Sequence, residues 1–315
     1  MAAFTLTPEL AEFSPRRKYL VGVSGGCDSM VLLHWLHGLG YRKLVVCHLN
    51  HQLRGRASAA DARLVERTAG QLGFACVIES APVAGTTGKH SLETAGRHAR
   101  HAFFARGAQA HRCDRVFLAH HADDQAETVL MNVLRGSSLR GLGGMRSLTE
   151  MQVDNKRLLL LRPLLAYSRE ELREYAAEQA VKYREDASNQ SADFLRNRIR
   201  HELLPLASRV MQRDVRPALL RIAAMAREDD ACLQSQVEAF SVGEFLDTKI
   251  LLATPVALQR RVLHAWMQQH GVPLITFELI ESIRALLPPQ APLAKANLPG
   301  GRWVRRRSGR LFIEP

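Results

Sequence analysis

Residues Tyr19 to Leu33 read YLVGVSGGCDSMVLL, and this stretch determines which fold the chain can adopt. Tyr19 to Val23 is a short apolar run typical of a buried strand, and Met30 to Leu36 brings apolar residues at helical spacing. The turn between them carries two adjacent glycines, which let a backbone approach a ligand closely. The helix that follows points unpaired N–H groups and the positive end of its dipole back at this turn. The stretch therefore predicts a strand, an anion-binding loop and a helix.

The loop SGGCDS resembles the SGGxDS pyrophosphate loop of the ATP pyrophosphatase superfamily, whose members cleave ATP between its first and second phosphates. A Walker loop would be longer and would carry a lysine for the terminal phosphates, and this loop has none. A carboxylate at Asp28 would repel a phosphate unless a divalent cation lay between them, so Asp28 is a candidate Mg2+ ligand. The alternative is a strand-to-helix turn whose serines cap the helix. The residues expected to bind ATP in this loop are Ser24, Gly25, Gly26, Cys27, Asp28 and Ser29.

Size and charge suggest two domains and a polyanionic partner. A chain of 315 residues exceeds one typical domain, so we expect two domains of unequal size. Lys and Arg number 43 against 31 Asp and Glu, which gives a net charge of +12. Such a charge favours nucleic acid as the partner.

The sequence contains no uninterrupted apolar window long enough for a membrane helix, and its N-terminus does not read as a signal peptide. We therefore expect a cytoplasmic protein with no membrane contact. Its five cysteines are scattered and never paired as C-x-x-C. We expect reduced thiols, and neither a zinc nor an iron–sulfur site.

Further apolar runs alternate with helical patterns along the first two thirds of the chain. They lie at Leu44 to Leu49, Ala75 to Ile78, Val116 to Ala119 and Leu158 to Leu165. This order predicts an α/β fold with a doubly wound, Rossmann-like parallel sheet, right-handed crossovers and helices on both faces. The segment Arg146 to Lys156 is interpreted as a surface connection.

A loop rich in imidazole and amide groups follows the second predicted strand. Doubly wound sheets bind ligands beyond the carboxyl ends of their strands. We therefore predict that His48 and Asn50 contact the nucleotide.

The stretch His120 to Thr128, HHADDQAET, follows the fourth predicted strand and runs into a helix. Asp123 and Glu127 share a helix face because they are four residues apart. Acids also favour helix N-termini on dipole grounds, so capping is the alternative interpretation. Two histidines and two adjacent aspartates favour a metal-and-base cluster facing Asp28 across the same sheet edge. Asp124 is the second candidate Mg2+ ligand.

The character of the chain changes after Tyr183. The segment Phe194 to Pro205 is rich in arginine, and an amphipathic helix with solvated arginines is the alternative to RNA binding. We place a domain boundary near Arg213, between a catalytic domain at 1–213 and a smaller, mainly helical, nucleic-acid-binding domain at 214–315. The second domain is expected to end in a basic hairpin that turns at Ser308 and Gly309.

Taken together, the motifs resemble the tRNA(Ile)-lysidine synthase family. The resemblance rests on ordered blocks between about Tyr19 and Leu206, and more weakly on the final LPGGRWVRRRSGRL. The blocks are SGGCDS, HLNHQLRG, ETAGRHAR, HHADDQAET, LRGSSLRGLGGM, RPLL and REDASNQSADFLRNRIRHELLP.

The resemblance implies a ligase that uses ATP and Mg2+ on the wobble cytidine of isoleucine tRNA with a CAU anticodon. The enzyme adenylates the base and releases pyrophosphate, and free L-lysine then displaces AMP to give lysidine. We expect no glutamine amidotransferase partner. The expected tRNA-binding residues are Arg135, Arg196, Arg198, Arg200, Arg305, Arg306 and Arg307.

Free lysine carries two ammonium groups near pH 7, so a site must hold one as a cation and deprotonate the other. Asp123 and Glu127 are candidates for this work. Arg54 and Arg97 are candidates for the adenylate or for the carboxylate of lysine, because a guanidinium binds either group bidentately. Surface ion pairs are the alternative role for both arginines. The catalytic candidates are Asp28, Arg97, Asp123, Asp124 and Glu127.

Two other classes of protein remain open at this point. A sulfur-inserting tRNA enzyme also uses an SGGxDS loop, although it needs a thiol pair or a donated persulfide. A non-catalytic RNA-binding protein would account for the charge but not for the acids at Asp28, Asp123 and Asp124.

Overall fold

The computed structural model describes residues 4–50, 56–80, 89–185, 195–238, 240 and 243–314. The chain divides into two compact units between Met225 and Ala226. The division falls inside a helix that begins at Arg216, close to the boundary predicted near Arg213. That boundary stays a prediction, since the helix continues unbroken across the division.

The first unit is built on a six-stranded sheet with the strand order β3-β2-β1-β4-β6-β5. All neighbouring strands are parallel except β5 and β6. The prediction of a doubly wound, mostly parallel sheet is therefore confirmed. The strands are β1 (Tyr19–Gly22), β2 (Leu44–Asn50), β3 (Ala75–Ser80), β4 (Arg115–Phe117), β5 (Leu148–Val153) and β6 (Lys156–Leu161).

The interpretation of Arg146 to Lys156 as a surface connection is wrong. Most of this segment is β5, an edge strand that pairs with β6 in antiparallel register. The tight turn between them begins at Asp154, which has a positive φ of 50°. A short turn with Asp in the left-handed region is typical of a hairpin, so the signal was present in the sequence.

The sheet of the first unit is covered by apolar side chains on both faces. Tyr19 and Val21 pack into one hydrophobic cluster, whereas Leu20, between them, packs into another with Phe103 and Phe104. This alternation follows from the two-residue period of a strand. The helices of this unit are α1 (Pro8–Ala11), α2 (Cys27–Gly38), α3 (Arg56–Gln71), α4 (Lys89–His111), α5 (Ala122–Leu134), α6 (Leu139–Leu142), α7 (Arg169–Glu178), α8 (Leu195–Arg198) and α9 (Leu204–Val210), with a π-helical turn at Ile199–Leu203 and α10 (Arg216–Glu238) crossing the division.

Strand β1 lies between β2 and β4, and the chain reverses its direction of winding at this position. The loops that follow β1 and β4 therefore diverge to opposite faces of the sheet and leave a crevice at the carboxyl ends of the strands. Open α/β sheets bind ligands at such a switch point. The fold thus brings the SGGCDS loop and the HHADDQAET stretch to the same edge.

The second unit combines helices with a four-stranded antiparallel sheet of order β7-β10-β9-β8. The predicted basic hairpin is confirmed, with Ser308 and Gly309 at its turn in positive-φ conformations. Among the described residues, no helix combines the length and apolar character needed to cross a membrane. The elements are β7 (Phe245–Asp247), α11 (Thr248–Leu252), α12 (Val256–Gln269), α13 (Phe277–Arg284), β8 (Lys295–Asn297), β9 (Trp303–Arg307) and β10 (Arg310–Glu314).

Candidate active site

The loop after β1 is held open by its own serines. The hydroxyl of Ser29 accepts a hydrogen bond from the Ser24 amide at 3.1 Å and donates to the Gly26 carbonyl at 3.0 Å. Gly25 has a φ of +95°, which side chains rarely adopt, and a Cβ there would lie 3.4 Å from Asp61. Helix α2 begins directly after Gly26, so its first amides point into the loop. This geometry suits an anion.

A second segment, at Arg184, hydrogen-bonds to the loop. The amide of Arg184 donates to the Gly25 carbonyl at 3.0 Å, and Nε of Arg184 donates to Oδ1 of Asp61 at 2.7 Å. Asp61 is buried on α3. The Arg184 segment therefore links the loop to α3.

His121 joins the two sequence motifs. Its Nε2 lies 3.5 Å from Oδ2 of Asp28 and 3.4 Å from Oδ2 of Asp124, and its Nδ1 lies 3.7 Å from Oδ2 of Asp123. Burial disfavours the charged ring, but the surrounding carboxylates of Asp123, Asp28 and Asp124 raise the pKa of His121 to about 10. His121 is therefore an imidazolium that neutralises part of a buried acid cluster.

Asp123 and Asp124 each accept a hydrogen bond from a backbone amide at the start of a helix. Oδ2 of Asp124 accepts from the His121 amide at 3.1 Å, which makes a capping box at the start of α5. Oδ2 of Asp123 accepts from the Arg169 amide at 2.8 Å and so caps α7, while its Oδ1 accepts from Arg216. Burial opposes ionisation of both acids, but the positive groups around them lower the pKa of each. Capping is thus part of the role of this cluster.

Glu127 is bound by two arginines that were predicted to bind tRNA. Its side chain is only 1% exposed, and it accepts from Nε of Arg196 at 2.7 Å and from Nε of Arg200 at 2.5 Å. Both arginines also reach Oδ1 of Asp124 at 3.0 Å. Arg196 and Arg200 are thus paired with buried acids while also lining the first cleft, and their contact with tRNA stays a prediction. Arg198 differs, because it is 60% exposed and pairs only loosely with Glu202 at 3.6 Å.

His120 is held as a neutral ring beside the cluster. Nε of Arg162 donates to its Nδ1 at 3.2 Å, which leaves the hydrogen on Nε2. Burial is the main cause that lowers the pKa of His120 to about 3. Arg162 is itself buried and donates to the Arg146 carbonyl and to Thr149. The RPLL block therefore positions His120.

Gln125 accounts for the glycine-rich segment after α5. Its amide donates to the carbonyls of Gly143 and Met145, and its oxygen accepts from the Met145 amide at 2.7 Å. Gly144 has a φ of +65°, and a Cβ there would lie 2.7 Å from Gln125. These hydrogen bonds hold the glycine-rich segment against α5, the helix that carries Asp123, Asp124 and Glu127.

Two clefts meet around these side chains. The first, of about 740 Å³, is lined by the SGGCDS loop and by Asp124. The second, of about 860 Å³, is lined by Asp123 and Glu127. The clefts share Arg169, Arg173, Arg200 and His201. Apolar and basic residues of the first cleft include Leu49, Phe103, Phe104, Leu118, Arg100 and Arg184.

Several predicted site residues lie away from the first cleft. His48 is buried, and its Nδ1 lies 2.9 Å from the Val23 carbonyl, whereas its strand neighbours Cys47 and Leu49 line the cleft wall. Because alternate residues of a strand point to opposite faces, His48 lies on the face of β2 opposite Cys47 and Leu49. Its contact with the nucleotide stays a prediction. Asn50, at the end of β2, is half-buried. Arg97 is exposed on α4, and Arg100, three residues further on, lines the cleft instead.

The remaining predictions divide between surface and interior. Arg54 lies outside the described residues, and Arg135 is exposed at the end of α5. Arg305 and Arg307 lie on the outer face of the second unit's sheet. Arg306 turns inward and donates to the carbonyls of Leu286 and Ala291. Its role in RNA binding stays a prediction.

Sequence reasoning missed five residues that shape the site. His120 and His121 were seen as part of a motif without a role, and Arg100, Arg169 and Arg184 were not singled out. Arg100 lies in the ETAGRHAR block and Arg184 begins the REDASNQSADFLRNRIRHELLP block, so a basic residue within a motif block was the available signal for both. No local signal marks Arg169, since its contribution is a backbone amide at a helix start.

Comparison with known proteins identifies both units. Residues 4–207 match the model of the PP-loop domain, and residues 246–312 match that of the TilS substrate binding domain. A protein of Solibacter usitatus named tRNA(Ile)-lysidine synthase is 35% identical over 91% of this chain and 65% of its own length. A Thermosynechococcus vestitus protein of the same name is 32% identical over 91% of this chain and 83% of its own.

A solved structure shows the same fold at lower similarity. The U34-tRNA thiolase NcsA of Methanococcus maripaludis superimposes with a TM-score of 0.51 at 20% identity, covering 67% of this chain and 72% of that one. The chain spans about two thirds of the length of the Solibacter relative. By both domain matches and by the identity to its relatives, the chain belongs to the PP-loop family and, within it, to the tRNA(Ile)-lysidine synthase family.

Proposed function

We propose that this chain uses ATP to adenylate the wobble cytidine in the CAU anticodon of isoleucine tRNA and then joins free lysine to that base. In the first step the carbon-2 oxygen of cytidine attacks the α-phosphorus, and pyrophosphate leaves. In the second step the lysine amine attacks carbon-2, AMP leaves with the bond pair, and the amine proton passes to a base. The observation that carries the proposal is that His121 links Asp28 of the loop to Asp124 of the acid motif inside one cleft.

The residues of the first cleft suit ATP. The amides at the start of α2 offer donors to phosphate oxygens. Leu49 and Leu118 line the same cleft and offer apolar surface to a nucleotide base. Arg100 adds a cation near the leaving pyrophosphate.

Magnesium fits this donor set. Oδ1 of Asp28 is buried and has no hydrogen-bond partner among the described residues, so it is available to a cation. The described residues contain no group of three or more His, Cys, Asp or Glu side chains arranged to hold a metal. Mg2+ commonly binds through one or two carboxylates and completes its shell with phosphate and water, which suits Asp28 and Asp124. When bound, it would neutralise charge on the phosphates.

The second cleft suits lysine. Asp123 and Glu127 line it and can attract an ammonium group, although their present hydrogen bonds to arginines mean that lysine would share these oxygens. Arg169 and Arg173 line both clefts and can pair with the carboxylate of lysine. A carboxylate of Asp123 or Glu127 would then accept the proton of the attacking amine.

The thiols do not suit sulfur transfer. Cysteine acts as a nucleophile in its thiolate form. Burial and then the charge of Asp28 raise the pKa of Cys27 to about 11, and burial raises the pKa of Cys47 to about 12. All five cysteines are free, and Cys232 is the exposed one.

The reaction products test the proposal. The enzyme would be given ATP, magnesium and isoleucine tRNA with either radiolabelled lysine or a sulfur donor, and the RNA digested to nucleosides. We expect lysine on a cytidine together with AMP and pyrophosphate. A thiolated cytidine without lysine, or release of ADP and orthophosphate, would overturn the proposal.

A variant of the loop acid sharpens this test. Asp28→Asn is expected to lower the rate of AMP formation about 100-fold or more, the order seen when a charge-stabilising group is lost. Asp229→Asn, an exposed acid on α10, is the matched control and should leave the rate unchanged. Equal rates for both variants would remove Asp28 from the chemistry.

A further inference from the structure

The sheet of the second unit has one face in that unit's core and one outer face. Leu246, Ala296, Val304 and Leu311 are buried on the inner face. Because side chains alternate along a strand, the residues between them lie on the opposite face. These outer residues are Phe245, Asp247, Lys295, Asn297, Trp303, Arg305, Arg307, Arg310, Phe312 and Glu314.

Three aromatic residues lie on the outer face. Phe245 and Phe312 sit directly opposite each other on β7 and β10, with ring centroids 5.8 Å apart. Phe245 is 38% exposed. Trp303 on β9 is half-buried, and its Nε1 donates to Oε2 of Glu314 at 3.2 Å. Because these three rings lie on the outer face of the sheet, packing in the hydrophobic core does not explain their presence there.

Four cations lie among these rings. The Arg310 guanidinium is 4.1 Å from the Phe245 ring centroid, and Nζ of Lys295 is 3.9 Å from that of Trp303. Arg305 and Arg307 both pair with Glu314, at 3.4 Å and 3.1 Å. Glu314 thereby orients both arginines across the sheet.

The charge of this face is positive overall. Its acids are Asp247 and Glu314, and Asp247 uses Oδ1 to cap α11 through the amides of Lys249 and Ile250. The excess of cations complements a phosphate backbone, and the rings and the Arg310 plane can stack on bases. Bases inside a duplex already stack on each other and are not available for this contact.

We propose that the outer face of this sheet is a stacking platform for unpaired nucleotides of the RNA substrate. Bases stack on Trp303, Phe245 and Arg310, while Arg305 and Arg307 contact phosphates. The inference rests on the proposed function for the identity of the RNA, but the face and its chemistry are independent of the ligase reaction.

The test uses the full chain and intrinsic tryptophan fluorescence. Trp35 and Trp266 are buried, at 5% and 0% exposure, so a ligand-dependent change reports mainly on Trp303. The probe is an unpaired oligouridylate of about eight nucleotides, within the range bound by one small sheet-based domain. A duplex of equal length is the comparison. We expect the unpaired probe to quench the fluorescence and to bind more tightly than the duplex.

Three variants separate stacking from charge. Trp303→Ala, followed by fluorescence anisotropy of a labelled probe, should weaken binding of the unpaired probe about tenfold, whereas Trp303→Phe should retain most of it because a ring remains. Lys249→Gln removes one exposed charge from α11 of the same unit and should have little effect. Thermal unfolding of each variant confirms that the unit is folded. If Trp303→Ala does not fold, the comparison of unpaired and duplex probes on the wild type still decides the inference.

Equal affinity for unpaired and duplex RNA would overturn the inference, as would undiminished binding of the unpaired probe by a folded Trp303→Ala variant. The outcome is separable from the ligase reaction. Platform binding without lysidine formation would contradict the proposed function alone, and lysidine formation with an inert platform would contradict this inference alone.

Discussion

Two arginine-rich stretches of this chain have similar composition but opposite structural roles. In Leu195 to Pro205, Arg196 and Arg200 turn toward the acids Asp124 and Glu127 and are 25% and 20% exposed. In the C-terminal hairpin, Arg305 and Arg307 lie on the solvent face and are 37% and 60% exposed. The same residue type thus pairs with buried acids in one unit and faces solvent in the other.

The period of each element produces this difference. Residues four apart share a face of a helix, so Arg196 and Arg200 reach the same carboxylates while Arg198 points to solvent. Residues two apart share a face of a strand, so Arg305 and Arg307 point outward while Arg306 reaches backbone carbonyls. A count of arginines therefore overestimates how many are available to RNA.

The largest expected effect comes from removing the inward pair. The double variant Arg196→Ala, Arg200→Ala leaves the buried Glu127 carboxylate without cations, which should cost about 3 to 5 kcal/mol of unfolding free energy. Urea unfolding followed by circular dichroism measures it. Arg198→Ala is the matched control and should stay within about 0.5 kcal/mol of wild type. A loss below about 1 kcal/mol in the double variant would show that the pairing contributes little to stability.

A smaller effect is expected from the outward pair, and on binding instead of stability. The double variant Arg305→Ala, Arg307→Ala should weaken tRNA binding at least about tenfold and reduce the slope of log affinity against log salt by about 2, one for each phosphate contact. Filter binding between 50 and 200 mM salt measures both the affinity and the slope. Over this range the affinity of a protein with about six phosphate contacts falls by roughly a thousandfold. Arg306→Ala should keep the slope but lower stability by about 1 kcal/mol, because two carbonyls lose their donor. If Arg306→Ala reduced the slope as much as the double variant, the inward assignment would fail.

The smallest effect concerns a carboxylate that resembles Glu127 in its partners but not in its burial. Glu281 accepts from Arg260 at 2.7 Å and Arg284 at 2.6 Å, and is 25% exposed. Hydrogen bonds from Arg284 and Arg260 lower the pKa of Glu281 to about 2. Since the folded pKa is below the usual 4.5, the stabilisation is present above pH 4.5 and is lost as the pH falls toward 2.

Solvent screening limits this contribution to about 1 kcal/mol. We expect the melting temperature of the wild type to fall more than that of Glu281→Gln between pH 5 and pH 3. Parallel curves for the two proteins would show that partial exposure has removed the contribution.

Much of the site could be predicted from local motifs. The SGGCDS loop and the acids after β4 are read directly from residue type and from their position after a strand, and the parallel sheet then places them at one edge. Strand β5 was missed, although the turn at Asp154 carried its signal. The face of β2 on which His48 lies was not predicted, although strand alternation carried that signal.

The sequence by itself determined the strand–loop–helix order, the basic character and the family, because glycine conformational freedom, charge and hydrophobic period act over a few residues. Only the tertiary structure decided which charges meet. Arg196 and Glu127 are far apart along the chain, and their pairing depends on two helices packing side by side. The imidazolium of His121 likewise depends on carboxylates in the first turns of two different helices, α2 and α5. The electrostatics of a buried group depend on distance in space instead of distance along the chain.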